Sequence, residues 1–423
     1  MSQITASDDA IMEDRNVRLD AGSWSMLSNT FFMVGALGLL LTVIGLFSAT
    51  KHAAAGLHIG AMIAIGLGLG GMFFTLVFHL TNSGWSTTVR RQFENIVWCL
   101  PVGMIFAAIS IGLNLYGGVG LASWKNQEVT QGGAEHLFHF KSSQFTWFAD
   151  HWVLARLALY FVVWWFLRRM LWRHSTLQDE NGDPALTSRV RFHSSYGMLL
   201  FAFTSTFFAF DWLMAVADYR FFSTMWGVYF FAGNLFSAVS LCILILAALG
   251  RAGKLRGLVT GEHLHDLSKL AFGFTVFWAY IAFSQYFLIW YANIPEETAF
   301  FIYRKEHWPL LTTTLVIGHF IIPFYILLWR PVRRSWVAMS FVALYLLVMH
   351  LLDIYWIVRP AVDLGSTAAH PTFDARSLAF EAAGIIGVLS VFMGVLVRRI
   401  AAGPLVPIKD PRLAEALRHK NFV

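Results

Sequence analysis

The chain has 423 residues, of which 57% are hydrophobic and only 13% are charged. This composition excludes an ordinary soluble domain and is typical of a protein that lies largely within a membrane. The formal net charge of +6 needs no nucleic-acid partner, because basic residues also gather beside anionic lipid. The two cysteines, Cys99 and Cys242, are too few for a disulfide framework or for a cysteine-ligated iron–sulfur or zinc site.

The pattern of apolar segments predicts an all-α integral membrane protein with ten transmembrane helices. Residues 1–29 form a polar tail that lacks the basic and then apolar order of a signal peptide. Residues 30–401 form the membrane domain, and residues 402–423 form a second tail. Each predicted span is near the ~20 residues that a helix needs to cross a bilayer. The spans lie at about 30–49, 58–81, 94–118, 147–171, 195–217, 223–249, 269–292, 309–329, 335–358 and 377–398.

The distribution of lysine and arginine predicts the orientation. With the N-terminus inside, the cytoplasmic segments hold 22 of the 31 basic residues and the outer segments hold 8. The last one, Arg156, lies within a span. Because cytoplasmic loops carry an excess of basic residues, both termini are predicted to be cytoplasmic.

A repeated pattern indicates an internal duplication. His151-Trp152 precedes Asp211, and His307-Trp308 precedes Asp353 at a similar position in the second half. Spans two to five, about 58–217, and spans six to nine, about 223–358, would each form a four-helix bundle. Spans one and ten would flank the two bundles, an arrangement known from transport proteins built of parallel repeats.

Polar and ionisable residues within the predicted spans are candidate functional residues, because burying them in a bilayer is costly. Histidine beside a carboxylate is suited to relaying protons near neutral pH. His350 and Asp353 lie three residues apart and should therefore be able to form a hydrogen bond. In chain order, the candidates for a proton path are His79, Glu94, Asp150, His151, Arg156, Asp211, Asn234, Gln285, His319, His350 and Asp353.

A purely structural role is an alternative for most of these candidates. Glu94 follows Arg90 and Arg91 by one helical turn, so an interfacial ion pair would explain it. Asp211 would similarly pair with Arg156 inside the first bundle. Polar groups in the middle of a membrane also serve as hydrogen-bonding contacts between helices, which would account for Asn234, Gln285 and His319. His79, Asp150 and His151 would be structural or interfacial residues.

Several longer segments carry a family resemblance. They are Phe210–Met214 (FDWLM), Gly227–Gly233 (GVYFFAG), Ala271–Tyr280 (AFGFTVFWAY) and Trp290–Thr298 (WYANIPEET). They resemble the ActF subunit of bacterial alternative complex III, which belongs to the NrfD-like (polysulfide reductase membrane subunit) family. The resemblance leads us to expect two apolar residues shortly before Arg156, and His151-Trp152 departs from this pattern.

The resemblance implies a place in a larger complex of the bacterial cytoplasmic membrane. That complex would be a quinol:cytochrome c (or other electron acceptor) oxidoreductase, with quinol as its substrate. The subunit itself would have ten spans in two four-helix bundles and would bind no haem or metal. Expected partners are a paralogous ActC-like membrane subunit, an iron–sulfur subunit and haem c subunits, in addition to lipid.

Three hypotheses for the chain follow. The first is a subunit that provides a proton path coupled to quinol oxidation elsewhere in the complex. The second is the quinol-binding subunit itself, with Asp211, Gln285 and His350 forming the pocket. The third is a membrane scaffold without chemistry. A cytochrome b-type protein is a poor fit, because two haems would need four histidines paired across two helices.

Overall fold

The protein was analysed as a computed structural model, which describes residues 12–119, 121, 150–218, 221–363 and 374–421. Within these ranges the chain is helical and contains no strand. Nine helices in the same ranges are long and apolar enough to cross a membrane. The chain is therefore an all-α, multi-pass membrane protein, as the sequence predicts at this level.

Counting only the described residues in both halves, the first half of the chain contains eight α-helices and one π-helix, π1. They are α1 (Asp14–Val17), α2 (Ala21–Ser48), α3 (Thr50–Leu80), α4 (Thr87–Trp98), α5 (Leu100–Tyr116), α6 (Asp150–Asn181), α7 (Pro184–Ala209), π1 (Phe210–Met214) and α8 (Ala215–Ala217).

The second half contains ten α-helices and a second π-helix, π2. They are α9 (Trp226–Arg251), α10 (Gly261–Ala292), α11 (Pro295–His307), α12 (Pro309–Thr314), π2 (Leu315–Ile321), α13 (Ile322–Leu328), α14 (Arg330–Arg334), α15 (Trp336–Val358), α16 (Pro360–Asp363), α17 (Ala375–Ala401) and α18 (Leu413–Leu417).

The predicted span at 147–171 corresponds to α6, and its residues 147–149 lie outside the described residues. This helix is 32 residues long, yet it is not among the nine apolar helices. Its arginines and tryptophans lower its mean hydropathy relative to the other helices. The count of ten spans therefore stays a prediction.

Several helices extend beyond the predicted membrane segments. The predicted inner loop at 172–194 is instead the end of α6 and the start of α7, with only a short turn between them. Gly182 takes the left-handed conformation there (φ +68°), and the Asp183 side chain accepts a hydrogen bond from the backbone of Ala185 at the start of α7. Apolar character marks where the membrane ends, whereas capping residues mark where a helix ends.

Helices α3 and α9 occupy the centre of the protein. In each of them, 89% of the apolar segment is buried. Helix α3 packs against α5 and α7 in the first half and against α9 in the second. Helix α9 packs against α10 and α15. Helices α2 and α17 lie side by side and contact the rest of the protein mainly through α3.

Segments from both ends of the chain meet at one end of the helices. The backbone of Leu405 donates to the carbonyl of Val17, and the backbone of Leu255 donates to the carbonyl of Asn16. His419 in the C-terminal segment contacts Asp266 of α10 at 2.5 Å. Residues 402–421 are therefore packed onto the helices, where the sequence predicts a tail. We call the end of the helices at which Asn16, Leu255 and residues 402–421 lie the terminal end of the protein.

Candidate functional site

Asp353 is the centre of a buried polar cluster in the second half of the chain. Its carboxylate accepts a hydrogen bond from the hydroxyl group of Tyr229 on α9 and another, at 3.2 Å, from the indole of Trp278 on α10. The side chain is 1% exposed. Three helices thus supply the carboxylate and its two donors, and both donors are neutral.

His350 lies one turn from Asp353 on α15, but the predicted hydrogen bond between them is absent. Nδ1 of His350 is 4.0 Å from the carboxylate, too far for a hydrogen bond. Tyr229 and Trp278 occupy the carboxylate oxygens instead. The imidazole lies over Gly233 of α9, where an added Cβ would be 2.8 Å from its Cε1 atom. The glycine therefore makes room for the ring.

His319 belongs to the same cluster and lies in π2. Its ring contacts Trp278 edge to face, with the centroids 3.7 Å apart. Phe236 packs on both histidines, at 4.9 Å from His319 and 5.5 Å from His350. Neither imidazole makes a hydrogen bond to any described residue. Two fully buried titratable rings are thus held close to a buried carboxylate.

The irregular helix geometry around His319 has a specific partner. A π-helix departs from the regular α-helical hydrogen bonding, and π-turns inside α-helices occur frequently at functional sites. Here the hydroxyl group of Tyr345 on α15 donates to the carbonyl of Gly318 at 2.7 Å. This bond ties π2 to the helix that carries His350 and Asp353.

Asp211 forms a second buried cluster in the first half of the chain. Arg156 of α6 donates to both of its oxygens, at 2.9 and 3.0 Å, and Tyr160 donates at 2.8 Å. The predicted ion pair between Arg156 and Asp211 is therefore present. Asp211 lies in π1, so both buried clusters include a π-helical segment. His58 contacts the next residue, since its Nε2 lies 2.8 Å from the carbonyl of Trp212.

The two carboxylates differ in how their charge is balanced. Asp211 is paired with a guanidinium group through two hydrogen bonds, an arrangement that favours a permanent ion pair. For Asp353, the described residues include no lysine or arginine that pairs with it. Arg304 is buried at the same end of the bundle, but it donates to the backbone carbonyls of Trp356 and Ile357. Asp353 thus differs from Asp211 in that its hydrogen-bond donors among the described residues, Tyr229 and Trp278, are both neutral.

Glu94 lies in a buried ionic network near the terminal end. It accepts from Arg90 at 3.1 Å and lies 3.3 Å from Arg91, so the predicted ion pair with these arginines is present. Arg90 also donates to Asp410 at 2.7 Å, and Arg91 to Asp179 at 2.5 Å. The network therefore links α4 to α6 and to the C-terminal segment.

Asp410 lies outside the membrane-spanning helices, at the end of this network. Burial alone would raise the pKa of its carboxyl group, but the charge of Arg90 and the hydrogen bonds to Arg90 and Arg412 lower the pKa to about 2. His79 is close enough to Arg90, Arg412 and Asp410 to feel their charges. Neither nitrogen of the His79 ring has a hydrogen-bond partner among the described residues.

The remaining predicted residues occupy separate places. Asn234 lies where α9 crosses α3, with its side chain against Gly66. Gln285 accepts a hydrogen bond from Ser223 at 2.9 Å. His151 is exposed near the start of α6. Asp150 begins the same helix, and its side chain lies outside the described part of the chain.

Sequence reasoning missed a third buried ionic cluster. Glu381 of α17 is 1% exposed; it lies 2.5 Å from Nε of Arg359 and 2.6 Å from Nδ1 of His52. Tyr355 donates to its other oxygen at 2.5 Å. Its position only four residues inside the predicted span 377–398 was a usable signal, because a carboxylate there needs partners. Arg359 also pairs with Asp363 at 2.7 Å.

The direct partners of the predicted carboxylates were missed as well. Tyr229, Trp278 and Tyr160 are aromatic residues inside apolar segments, where their bulk alone explains their presence. A buried tyrosine or tryptophan usually finds a hydrogen-bond partner for its polar atom, and this was the available signal. The spacing of residues in the sequence does not show which carboxylate is the partner of each of these aromatic side chains.

The chain matches no protein-family model, and no curated protein matches it. The described residues contain no group of three or more histidine, cysteine, aspartate or glutamate side chains positioned to hold a metal ion. The cluster around Asp353 combines one carboxyl group, two imidazoles and a phenol in the buried interior of the helices.

Proposed function

We propose that the chain is the ActF-like membrane subunit of a quinol-oxidising respiratory complex and that it provides part of a transmembrane proton path. The resemblance of its sequence to the NrfD-like family supports membership of such a complex. The cluster of Asp353, His350 and His319 supports the proton path. Redox chemistry would take place in the partner subunits, with quinol as the substrate of the complex and haem c and iron–sulfur clusters as its cofactors.

The proposal includes a topology of ten spans with both termini in the bacterial cytoplasm. Helix α6 would be the tenth span, because its apolar first part connects the terminal end to the opposite end of the protein. The first four-helix bundle would comprise α3, α4–α5, α6 and α7, and the second α9, α10, α12–α13 and α15. The 22 basic residues on the predicted inner side support this orientation.

The observation that carries the functional proposal is the environment of Asp353. A buried carboxyl group bonded only to neutral donors can change its protonation state at lower cost than one that holds an arginine. His350 and His319 would continue the path from Asp353 toward the middle of the membrane. Asn234, His79 and Glu94 would continue it toward the terminal end.

The second hypothesis, a quinol-binding subunit, draws less support from the geometry. Its pocket would contain Asp211, Gln285 and His350. Asp211 is held by Arg156, Gln285 is bonded to Ser223, and His350 packs on Phe236. The three side chains thus have three separate environments. The third hypothesis, a scaffold, predicts that both carboxylates can be neutralised without any effect on turnover or coupling.

The deciding experiment measures proton release per electron in proteoliposomes that contain the whole complex. We expect Asp353→Asn to lower this ratio while quinol oxidation and assembly are retained, because asparagine keeps the shape of the side chain and cannot carry a proton. Asp374→Asn is the matched control, since this exposed aspartate caps α17 and asparagine caps helices equally well.

An unchanged ratio in Asp353→Asn would contradict the proton-path proposal and favour the scaffold. Loss of quinol oxidation itself, with the complex intact, would point instead to the quinol-binding hypothesis. Tyr229→Phe offers a second test of the same site, because it removes one donor to the carboxylate and leaves the carboxyl group in place.

A further inference from the structure

Two tryptophans and two arginines form a compact cluster between α4, α6 and α17. The indoles of Trp98 and Trp172 lie with their centroids 5.1 Å apart. The guanidinium group of Arg168 stands over Trp98 at 3.8 Å. That of Arg399 contacts both rings, at 3.7 Å from Trp172 and 4.4 Å from Trp98. The flat rings hold both guanidinium groups in place through cation–π contacts.

The predicted spans place the cluster near the depth of the lipid headgroups on the terminal end. Arg399 is two residues before the end of α17, and Trp98 is four residues inside the span predicted at 94–118. In the sequence, Arg168 and Trp172 flank the inner boundary of the span predicted at 147–171. Tryptophan and arginine are enriched at this depth, where one side of a residue meets hydrocarbon and the other meets polar groups.

The positive charges of Arg168 and Arg399 have no direct carboxylate partner in the part of the chain that the structure describes. Glu94 is an electrostatic neighbour of Arg399, but its oxygens are engaged by Arg90 and Arg91. Since Arg168 and Arg399 touch the same indole, they lie within roughly one Debye length (~8 Å) of each other and repel. An anion between them would relieve this repulsion.

The guanidinium groups keep donors available for such an anion. Arg168 uses Nε to donate to the carbonyl of Trp98 at 3.0 Å, and its two terminal nitrogens make no hydrogen bond to a described residue. Nε of Arg399 is buried and has no hydrogen-bond partner among the described residues. Both side chains are only partly buried, so a ligand can reach them. The planar fork of arginine matches the oxygens of a phosphate group.

We propose that Arg168 and Arg399, framed by Trp98 and Trp172, bind the phosphate group of an anionic phospholipid. A free phosphate ion shares this chemistry, but the surroundings favour a lipid. Trp165 lies on α6 one turn before Arg168 and is 47% exposed, and the guanidinium group of Arg169 stands over its ring at 5.5 Å. It provides an apolar surface for an acyl chain near the cationic pair. Basic pockets between transmembrane helices bind anionic headgroups in this way.

The test is a lipid titration of the purified full-length chain in neutral detergent, followed by native mass spectrometry. The probes are phosphatidylglycerol and phosphatidylcholine with identical acyl chains. We expect the wild type to bind phosphatidylglycerol more tightly. The double variant Arg168→Gln/Arg399→Gln should lose about thirtyfold in affinity for phosphatidylglycerol and little for phosphatidylcholine, as expected for two lost arginine contacts at a membrane surface.

Arg398→Gln is the matched control, because Arg398 ends the same helix but stacks on Phe32 and donates to Asn29. Arg398→Gln should leave the affinity for phosphatidylglycerol unchanged. If it lost as much affinity as the double variant, the binding would reflect general surface charge, and the proposal would be overturned. Arg399→Lys keeps the charge and should retain part of the affinity. If the double variant does not fold, the comparison of phosphatidylglycerol with phosphatidylcholine in the wild type still tests whether the protein prefers an anionic headgroup.

Equal affinity of the wild type for the two lipids would overturn the proposal. A third arm adds inorganic phosphate to the lipid-bound protein. Displacement of phosphatidylglycerol by millimolar phosphate would assign the pocket to the free ion and overturn the lipid assignment. Retention of the lipid under these conditions would support it.

Discussion

Asp211 and Asp353 are both almost fully buried, at 2% and 1% exposure, yet their partners give them different chemistry. Asp211 faces a guanidinium group that holds both of its oxygens. Asp353 faces a phenol and an indole. One carboxylate therefore has a cationic partner, whereas the other has only neutral hydrogen-bond donors among the described residues. Sequence position alone treats the two as equivalent members of a repeat.

Removing one partner of the Arg156–Asp211 pair should cost more than removing both. We expect Arg156→Met to lower the free energy of unfolding by roughly 3–5 kcal/mol, because Asp211 then stays buried without its cation. The double variant Arg156→Met/Asp211→Leu should recover much of this loss. Denaturant unfolding of the full chain in detergent measures both. Additive losses in the double variant would show that the pair is not energetically coupled.

The Asp410–Arg90 pair predicts a pH dependence at the terminal end. The folded-state pKa of Asp410, about 2, lies below the ordinary value of 3.8 for an aspartate. A lowered folded-state pKa gives stability that is present above pH 3.8 and is lost as the pH falls toward 2. This contribution is about 2 kcal/mol. Wild type and Asp410→Asn, unfolded in parallel at pH 6 and pH 3, should therefore differ more at pH 6. An equal difference at both values would contradict the assignment.

Some residue partners could be predicted from the sequence, and others could not. Helical spacing placed Glu94 beside Arg90 and Arg91, and the rarity of charge in a membrane paired Arg156 with Asp211. The contact of Arg90 with Asp410 spans 320 residues, and no periodic pattern carries such information. Helical spacing places His350 and Asp353 on one face of their helix. The hydrogen bond predicted from this spacing is absent, because Tyr229 and Trp278 from other helices donate to the carboxylate instead.

At the scale of the element, hydropathy located the membrane segments but not the helix ends. Helix α3 begins at Thr50 and α10 at Gly261, each eight residues before its predicted span. Polar residues continue these helices beyond the apolar segments and find partners within the protein, since His52 contacts Glu381 and Asp266 contacts His419. The two π-helices were not predictable either, because one extra residue in a turn leaves the apolar composition of a span unchanged.

The glycines of α3 permit its close contact with α9, which gives a test at this scale. A methyl group at Gly70 would meet the carbonyl oxygen of Asn234 and would lie 2.7 Å from Cβ of Ala238. We therefore expect Gly70→Val to lower the free energy of unfolding by roughly 1–3 kcal/mol, the usual cost of overpacking. Gly112→Ala on α5 is the control, because nothing lies within 4 Å of its added Cβ. Equal effects at the two glycines would argue against close helix packing as the cause.

At the scale of the whole molecule, the segments predicted to be cytoplasmic meet at one end. Asn16 bonds to the backbone of Arg256, and Asn421 bonds to Glu262. The sequence predicted a common side for these segments from their charge. The sequence did not predict that these segments bind one another, because contacts between loops produce no periodic pattern of residues.

Cysteine labelling in sealed vesicles tests the proposed orientation. Lys409→Cys and Arg376→Cys place single exposed thiols at the proposed inner and outer ends. A membrane-impermeant maleimide should label Arg376→Cys from the periplasmic side and Lys409→Cys only in inverted vesicles. The wild type is the background control, since Cys99 and Cys242 are fully buried. Labelling of both positions from one side would refute the topology.

The bond between Arg90 and Asp410 also sets an order of events during biosynthesis. The ribosome completes Asp410 320 residues after Arg90, which takes roughly 15–60 s at typical rates of synthesis. Throughout this time Arg90 has Glu94, one turn away on α4, as a partner but lacks the carboxylate of Asp410. The terminal end can therefore close only after Asp410 has been made, so a chain that stalls before this residue would leave the surface open.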